Sequence, residues 1–452
     1  MPEMEKKEVI PSASRLITSL RNIGYEFVTA VADLVDNSME AGSTQVDIDI
    51  VFKGTDSYVR IADNGTGMNN EQLQEAMRFG SARDYEKEAD LGKFGLGLKT
   101  ASFSQCRRFT VTSRSKKYSK NINAYYWDLD LVQKTDKWDI IKIDPQTINN
   151  MLEKHLSKSS GTVIFWEKLD RILELKNPNS ENGKKRLISM CRDLEEHLAM
   201  VFHRFLAGEV PGRRLRIYLN GNNVNPWDPY CRNETMTKIF DPIRIEVESE
   251  EKSGSFTLDP YILPQQEAFS SMEAFRLAGG PKKWNRQQGF YIYRANRMIQ
   301  CGGWLGIRTI DEHLKLARIA LNLTPHLDDV FKINISKMRV TLPSKVRENI
   351  EEELKNIVKQ ANIAYRKKDN VDSPIPKPVK YPVSSPPKEV QIVTKPADKE
   401  NENQSEKNCQ PPNKLWSLDD IHCYLNCLAS PEEIPIIDRL FMELRNDLEG
   451  RE

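Results

Sequence analysis

Residues 25–102 carry three short patterns in a fixed order: AVADLVDNSMEA at 30–41, ADNGTGM at 62–68 and LGKFGLGLKTAS at 91–102. The first reads as a helix, because Phe27, Val31, Leu34, Val35 and Ser38 recur at the spacing that puts one stripe toward a core. Asp33, Asn37 and Glu40 then share the opposite face, one turn apart. A carboxylate and a carboxamide stacked in this way can hold an attacking water and a hydrated cation, respectively. For this helix taken alone, a solvated polar face is the plainer alternative.

The second pattern follows two strand signals, TQVDIDIVF and SYVRIAD, so Asp63 stands where a strand runs into a loop, and Gly65 and Gly67 bracket a tight turn. Glycines leave room for a planar ligand against the backbone, and a fixed carboxylate can accept a hydrogen bond from an exocyclic amine. An ordinary β-turn would use the same residues. The third pattern opens a helix at Gly97, Leu98, Lys99 and Thr100, and N–H groups at such a start favour phosphate. It is not a Walker A loop, since Leu98 and not Lys follows Gly97. Nor is it a Rossmann fingerprint, since Thr100 stands where a third small residue belongs.

The joint order is an acidic residue and Asn four apart on a helix, Asp-x-Gly-x-Gly after a strand, a glycine-rich helix start with Lys, and a later Gly161–Thr162 pair leading into VIFW. This order resembles the GHKL ATPases, the superfamily of gyrase, ninety-kilodalton heat-shock chaperones, histidine kinases and MutL. The resemblance implies a bound ATP with Mg2+. It puts Asp33 at the general-base position, Asn37 at the magnesium position, Asp63 at the adenine amine and Thr162 in support of it. Gly65, Gly67 and Met68 would border the adenine, and Gly92, Gly95, Gly97 and Lys99 would form the lid and phosphate wall. The hydrolysing families usually carry Glu where this chain has Asp33, one methylene shorter, so binding follows more directly from the resemblance than turnover.

At 452 residues the chain is long enough for two or three domains. Lys and Arg total 66 against 65 Asp and Glu, so no global field calls for nucleic acid and any basic patch must be local. Seven scattered cysteines fit a reducing compartment better than a disulfide scaffold, and Cys423 and Cys427 beside His422 are too few for a closed zinc site. The opening MPEMEKKEV lacks the apolar run of a signal peptide and no segment is long enough to span a bilayer. The expected location is cytoplasmic, or nuclear in a eukaryote, with no membrane partner.

Along the chain, Ser12 or Ser14 caps a short helix, and EQLQEAMRFGSARDYEKEADLG gives a helix and then a charged loop placed to serve as a lid. RRFTVTSRSKKYS and NINAYYWDLDLV read as strands of the same sheet. The expected fold class is α/β (α+β): a GHKL ATP-binding sandwich over 1–180, then an α/β transducer domain over 181–368. The second domain begins with a long helix over 184–207. Strands follow at RRLRIYLNG, PIRIEVES, SFTLDPYIL and GFYIYRANRMI, ARIALNL is a short helix or turn, DDVFKINISKMRV a strand, and residues 345–368 a closing helix. The Pro-rich stretch 369–413 reads as a disordered linker, and 414–452 as two amphipathic helices that need a docking partner.

The transducer resembles those of MutL, gyrase and MORC proteins, in which a lysine reaches the terminal phosphate; Lys337 is the candidate here and Arg339 the spare. Asn296 and Arg297 resemble a MORC-like turn to which the sequence assigns no role. The resemblance implies an ATP-dependent homodimer, a clamp acting on DNA in genome maintenance or defence. The local basic clusters available for DNA are Arg107, Arg108, Arg114, Lys116 and Lys117, and Arg366 to Lys368. A non-hydrolysing ATP sensor and a heat-shock-type chaperone are the alternatives. A sensor kinase is disfavoured because the first histidine, His155, comes after the nucleotide motifs.

Overall fold

The computed structural model describes residues 10–22, 25–80, 97–117, 121–144, 160–173, 179–248, 253–324, 327–328, 331 and 342–366. All belong to the first of two compact units, Met1–Thr394; the second is Lys395–Glu452. Outside the described residues lie the expected lid with Gly92 and Gly95, Lys337 and Arg339, Lys367 and Lys368, the linker and the helical tail.

The first layer is built from α1 (Ala13–Arg21), α2 (Phe27–Glu40), β1 (Gln45–Val51), β2 (Tyr58–Asp63), α3 (Asn70–Met77), α4 (Gly97–Gln105), β3 (Arg108–Arg114) and β4 (Ile122–Asp128). It continues through α5 (Leu129–Thr135), β5 (Ile141–Lys142), β6 (Gly161–Glu167), α6 (Glu181–Val201), α7 (His203–Leu206), β7 (Arg216–Leu219) and β8 (Asn222–Asn223). The strands form one sheet in the order β5-β4-β3-β6-β2-β1-β7-β8, antiparallel except for β1 with β7. Strict alternation in β1 buries Val46, Ile48 and Ile50 and leaves Gln45, Asp47 and Asp49 partly exposed. A one-residue slip would exchange the two sets at roughly 1.5–3 kcal/mol per side chain, so the register is fixed. That register sets Asp63 opposite Val46 at the end of β2. Next to β2 lies β6, buried on both faces: Ile164 and Trp166 join the main core, and Val163 and Phe165 a smaller cluster on the other side.

The second layer comprises β9 (Lys238–Ile239), β10 (Ile243–Glu248), β11 (Ser253–Ile262), α8 (Met272–Ala278), α9 (Lys283–Gln287), β12 (Gly289–Arg294), β13 (Arg297–Cys301), β14 (Ala317–Leu323), α10 (Ser344–Glu353) and α11 (Lys355–Arg366). Its sheet runs β10-β11-β14-β12-β13, with β9 also on β11. Three expectations are corrected here. ARIALNL is not a short helix or turn but the central strand β14, between β11 and β12; buried on both faces, it lacks the alternation that marks a half-exposed strand. RIYL of RRLRIYLNG pairs in parallel with β1, so the first sheet takes strands from beyond residue 180. The closing helix breaks at Leu354 into α10 and α11.

The hairpin of β12 and β13 joins the two layers. Phe290 and Ile292 face the second core, whereas Tyr291 and Tyr293 belong to the first, the alternation of a strand with two buried faces.

Candidate functional site

Three elements converge on Asp63. Its Oδ1 accepts the Gly65 N–H at 2.9 Å and the Thr162 N–H at 3.2 Å, and its Oδ2 accepts the Ser38 hydroxyl of α2 at 3.2 Å. The bond to Gly65, two residues on, is an Asx-turn that aims the carboxylate as the chain leaves β2. Burial pushes the Asp63 carboxyl up to about 6 against these three donors, which favour the charged form. Beside it, the Thr162 hydroxyl meets that of Ser113 at 2.9 Å, and Ser113 Oγ also donates to the Gly161 carbonyl and accepts the Met68 N–H. Thr162, Met68 and Gly65 thus share one hydrogen-bond network with Asp63.

Two of the glycines also answer to close backbone packing. Gly67 has φ +61°, and a Cβ there would lie 1.9 Å from the Arg114 carbonyl oxygen. At Gly161 (φ +150°) a Cβ would lie 2.0 Å from the Asp63 carbonyl oxygen. What these two admit at the Cβ position is neighbouring backbone, with the turn pressed onto the ends of β3 and β6.

Helix α2 is buried almost all round, so its polar residues do not form a solvated face. Asp33 is 7% exposed and its Oδ2 accepts the Tyr25 hydroxyl at 2.5 Å. Asp36, not singled out by the sequence reading, pairs with Arg297 of β13. Asn37 and Glu40 are half-buried. Ser38 follows Asp33 by five residues, about 7.5 Å along the axis, so one helix spans the ground between the Asp63 cluster and the proposed base. Asn37 lies within that span and offers one amide oxygen. Magnesium takes oxygen ligands and usually keeps waters and substrate phosphates, so a single protein donor fits an ion delivered with a nucleotide.

Lys99 is engaged with the protein itself. It is 2% exposed and its Nζ donates to the Ala76 carbonyl at 3.0 Å, turned toward α3. Burial pushes its amine down to about 8, with Glu75 pulling the other way. Gly97 opens α4 with nothing among the described residues within 4 Å of a Cβ position. The basic cluster at 107–117 is partly consumed by the fold. Arg107 pairs with Asp130 and Asp170, and Arg108 pairs with Glu167 and lies over the Tyr126 ring at 4.3 Å; only Lys116 and Lys117 are exposed. Tyr25, Ser38, Asp36 and Arg297 went unassigned; the signals were a tyrosine just before the first pattern, a hydroxyl inside an apolar stripe, a second carboxylate one turn on, and an Asn-Arg hairpin.

Residues 25–162 match the family of histidine kinase-, DNA gyrase B-, and HSP90-like ATPases. With the Asp63 constellation and the mixed sheet, this match makes residues 25–162 similar to a GHKL ATP-binding domain. Within that class the chain is MutL-like. It is 39% identical over 103 residues to proteins described as DNA mismatch repair protein MutL from Salmonella arizonae and from Salmonella heidelberg. That similarity covers 22% of this chain and only 16% of the length of each relative. Among the described residues no helix is long and apolar enough to cross a membrane.

Proposed function

We propose that this chain binds ATP with Mg2+, hydrolyses it, and pairs two copies in the ATP state as a clamp that acts on DNA. The observation that carries the reading is Asp63, a buried carboxylate fixed by Ser38, Gly65 and Thr162 at the end of a strand. Such a group is suited to accept the amine of an adenine. In this reading Asp33 takes the proton of the attacking water, Asn37 holds magnesium, and Gly65, Gly67 and Met68 border the base. Gly92, Gly95, Gly97 and Lys99 close over the phosphates, for which Lys99 must leave the Ala76 carbonyl. Lys337 reaches the terminal phosphate from the second domain, and residues 414–452 dock a protein partner. The DNA role is carried by the likeness to mismatch-repair proteins. Calorimetry with ATP on the wild-type chain and Asp63→Asn tests the pocket; equal affinities would refute it. Sedimentation with a non-hydrolysable analogue tests the clamp, which a monomer at saturating analogue would refute.

A second reading, an ATP sensor that does not hydrolyse, is favoured by one contact: the Tyr25 hydroxyl sits on Asp33 Oδ2, and Asp33 is shorter than the Glu usual at that position. Phosphate release separates the two.

A further inference from the structure

Arg297 reaches α2 from the other sheet. Its Nε lies 2.9 Å from Asp36 Oδ2 and 3.1 Å from Oδ1, and its Nη2 stands 3.7 Å from Asp33 Oδ1. All three side chains are buried. Asp33 and Asp36 are three apart on one helix, where like charges repel, and burial makes both costly unless a cation serves them. The guanidinium is held from behind: it tops a two-residue hairpin in which Ala295 (φ 48°) and Asn296 (φ 68°) take the left-handed conformations of a type I′ turn. Arg294, opposite Arg297 in that hairpin, makes several hydrogen bonds to Asp328, and Asn296 accepts from Arg204 at 3.2 Å.

The geometry points to Arg297 as a positioning residue for Asp33. Anchored by Asp36, it braces the carboxylate from the second layer while Tyr25 holds the other oxygen. At 3.7 Å the contact with Asp33 is a charge interaction and not a hydrogen bond, so it orients the carboxylate without occupying a lone pair. Turnover in the first domain then depends on a side chain of the second. This inference rests on the reading of Asp33 as the base. Two other basic side chains on neighbouring helices are engaged differently. On α6, His197 is pushed down to about 4 by burial and by Arg297 itself, and Lys99 of α4 is turned to Ala76.

The test uses the full chain with Arg297→Met, Arg297→Lys and Asp36→Asn, measuring kcat, KM and the ATP dissociation constant. Arg297→Met should lower kcat by at least about tenfold, the cost of a misplaced reacting group, with ATP affinity changed less than about threefold. Arg297→Lys should fall between that and wild type, and Asp36→Asn should lower kcat because the anchor is gone. Unchanged kcat in Arg297→Met together with a lowered melting temperature would make the residue mere glue between layers and overturn the proposal. Should Arg297→Met not fold, the lysine variant carries the same kcat comparison. A double-mutant cycle of Arg297→Lys with Asp33→Asn, read by urea unfolding, needs no turnover: coupling is expected, and additivity overturns the brace. If the wild-type chain binds ATP and never releases phosphate, the hydrolytic reading fails, and the cycle alone decides whether Arg297 holds Asp33.

Discussion

Ser38 and Asp63 meet where α2 passes the end of β2, the serine Oγ 3.2 Å from Asp63 Oδ2, and this bond ties the helix that carries Asp33 and Asn37 to the carboxylate proposed to read adenine. Losing a hydrogen bond to a charged acceptor costs roughly 1.5–3 kcal/mol, about one to two decades of affinity. Asp63→Asn should therefore weaken ATP by that factor in calorimetry while the chain stays folded, since an amide oxygen can still accept from Gly65 and Thr162.

Burial raises the Asp63 carboxyl from 3.8 to about 6. Between those values the folded state holds a proton that the unfolded state has released, so this group's contribution to stability falls as pH rises through the window. ATP needs the charged acceptor, so affinity should fall as pH drops below about 6, with proton release on binding near that pH. Buffer-dependent binding enthalpy measures it, and Asp63→Asn should abolish it. Binding that is flat from about pH 5 to 7, on either side of that value, would remove Asp63 from the adenine.

Gly67 and Gly161 should not tolerate a side chain, because each would drive a Cβ to about 2 Å from a carbonyl oxygen. Gly67→Ala should cost at least roughly 1–3 kcal/mol in urea unfolding. Gly97→Ala, with no described residue near its Cβ, should change stability by less than about 1 kcal/mol. Equal effects at 67 and 97 would mean that the turn is not packed as described.

For DNA, the ion pairs divide the first basic cluster. Arg107→Glu would meet Asp130 and Asp170 with like charge and should lower the melting temperature. Lys116→Glu with Lys117→Glu, at exposed positions, should leave the chain folded and weaken DNA retention. The slope of log affinity against log salt should flatten by about 0.9 for each DNA phosphate that these lysines no longer neutralise. DNA binding indifferent to both lysines would move the interface elsewhere.

Much of this was legible locally. Asp63 and the strands around it follow from a short-range order of carboxylate, glycines and β-branched residues, whereas Thr162, 99 positions away, is set beside it only by the family resemblance. What was not legible depends on residues far apart in sequence. Arg297 finds Asp36 across 261 positions, and no local pattern announces such a pair. ARIALNL hid as a strand because burial on both faces erases the period that identifies one. Lys99 read as a phosphate ligand from its place in a glycine-rich helix start, yet a neighbouring carbonyl at the end of α3 binds its ammonium here.

The sharpest remaining contrast concerns Tyr25 and Asp33. Burial and the Asp33 charge push the Tyr25 phenol well above its ordinary value, so it stays a neutral donor, and its hydroxyl takes a lone pair on Oδ2 that a base could offer to water. A general base contributes about two to four decades of rate, so Asp33→Ala should bind ATP within a few-fold of wild type and release no measurable phosphate. Tyr25→Phe keeps the ring and removes this hydroxyl from Oδ2, so its turnover should exceed that of wild type. Asp33→Glu, one methylene longer, should equal or exceed wild type if reach limits the reaction. Phosphate release undiminished in Asp33→Ala would take the base role from Asp33. If wild type, Tyr25→Phe and Asp33→Glu all bind ATP and none releases phosphate, the chain is an ATP sensor whose hydroxyl–carboxylate pair belongs to a fixed, non-hydrolytic pocket.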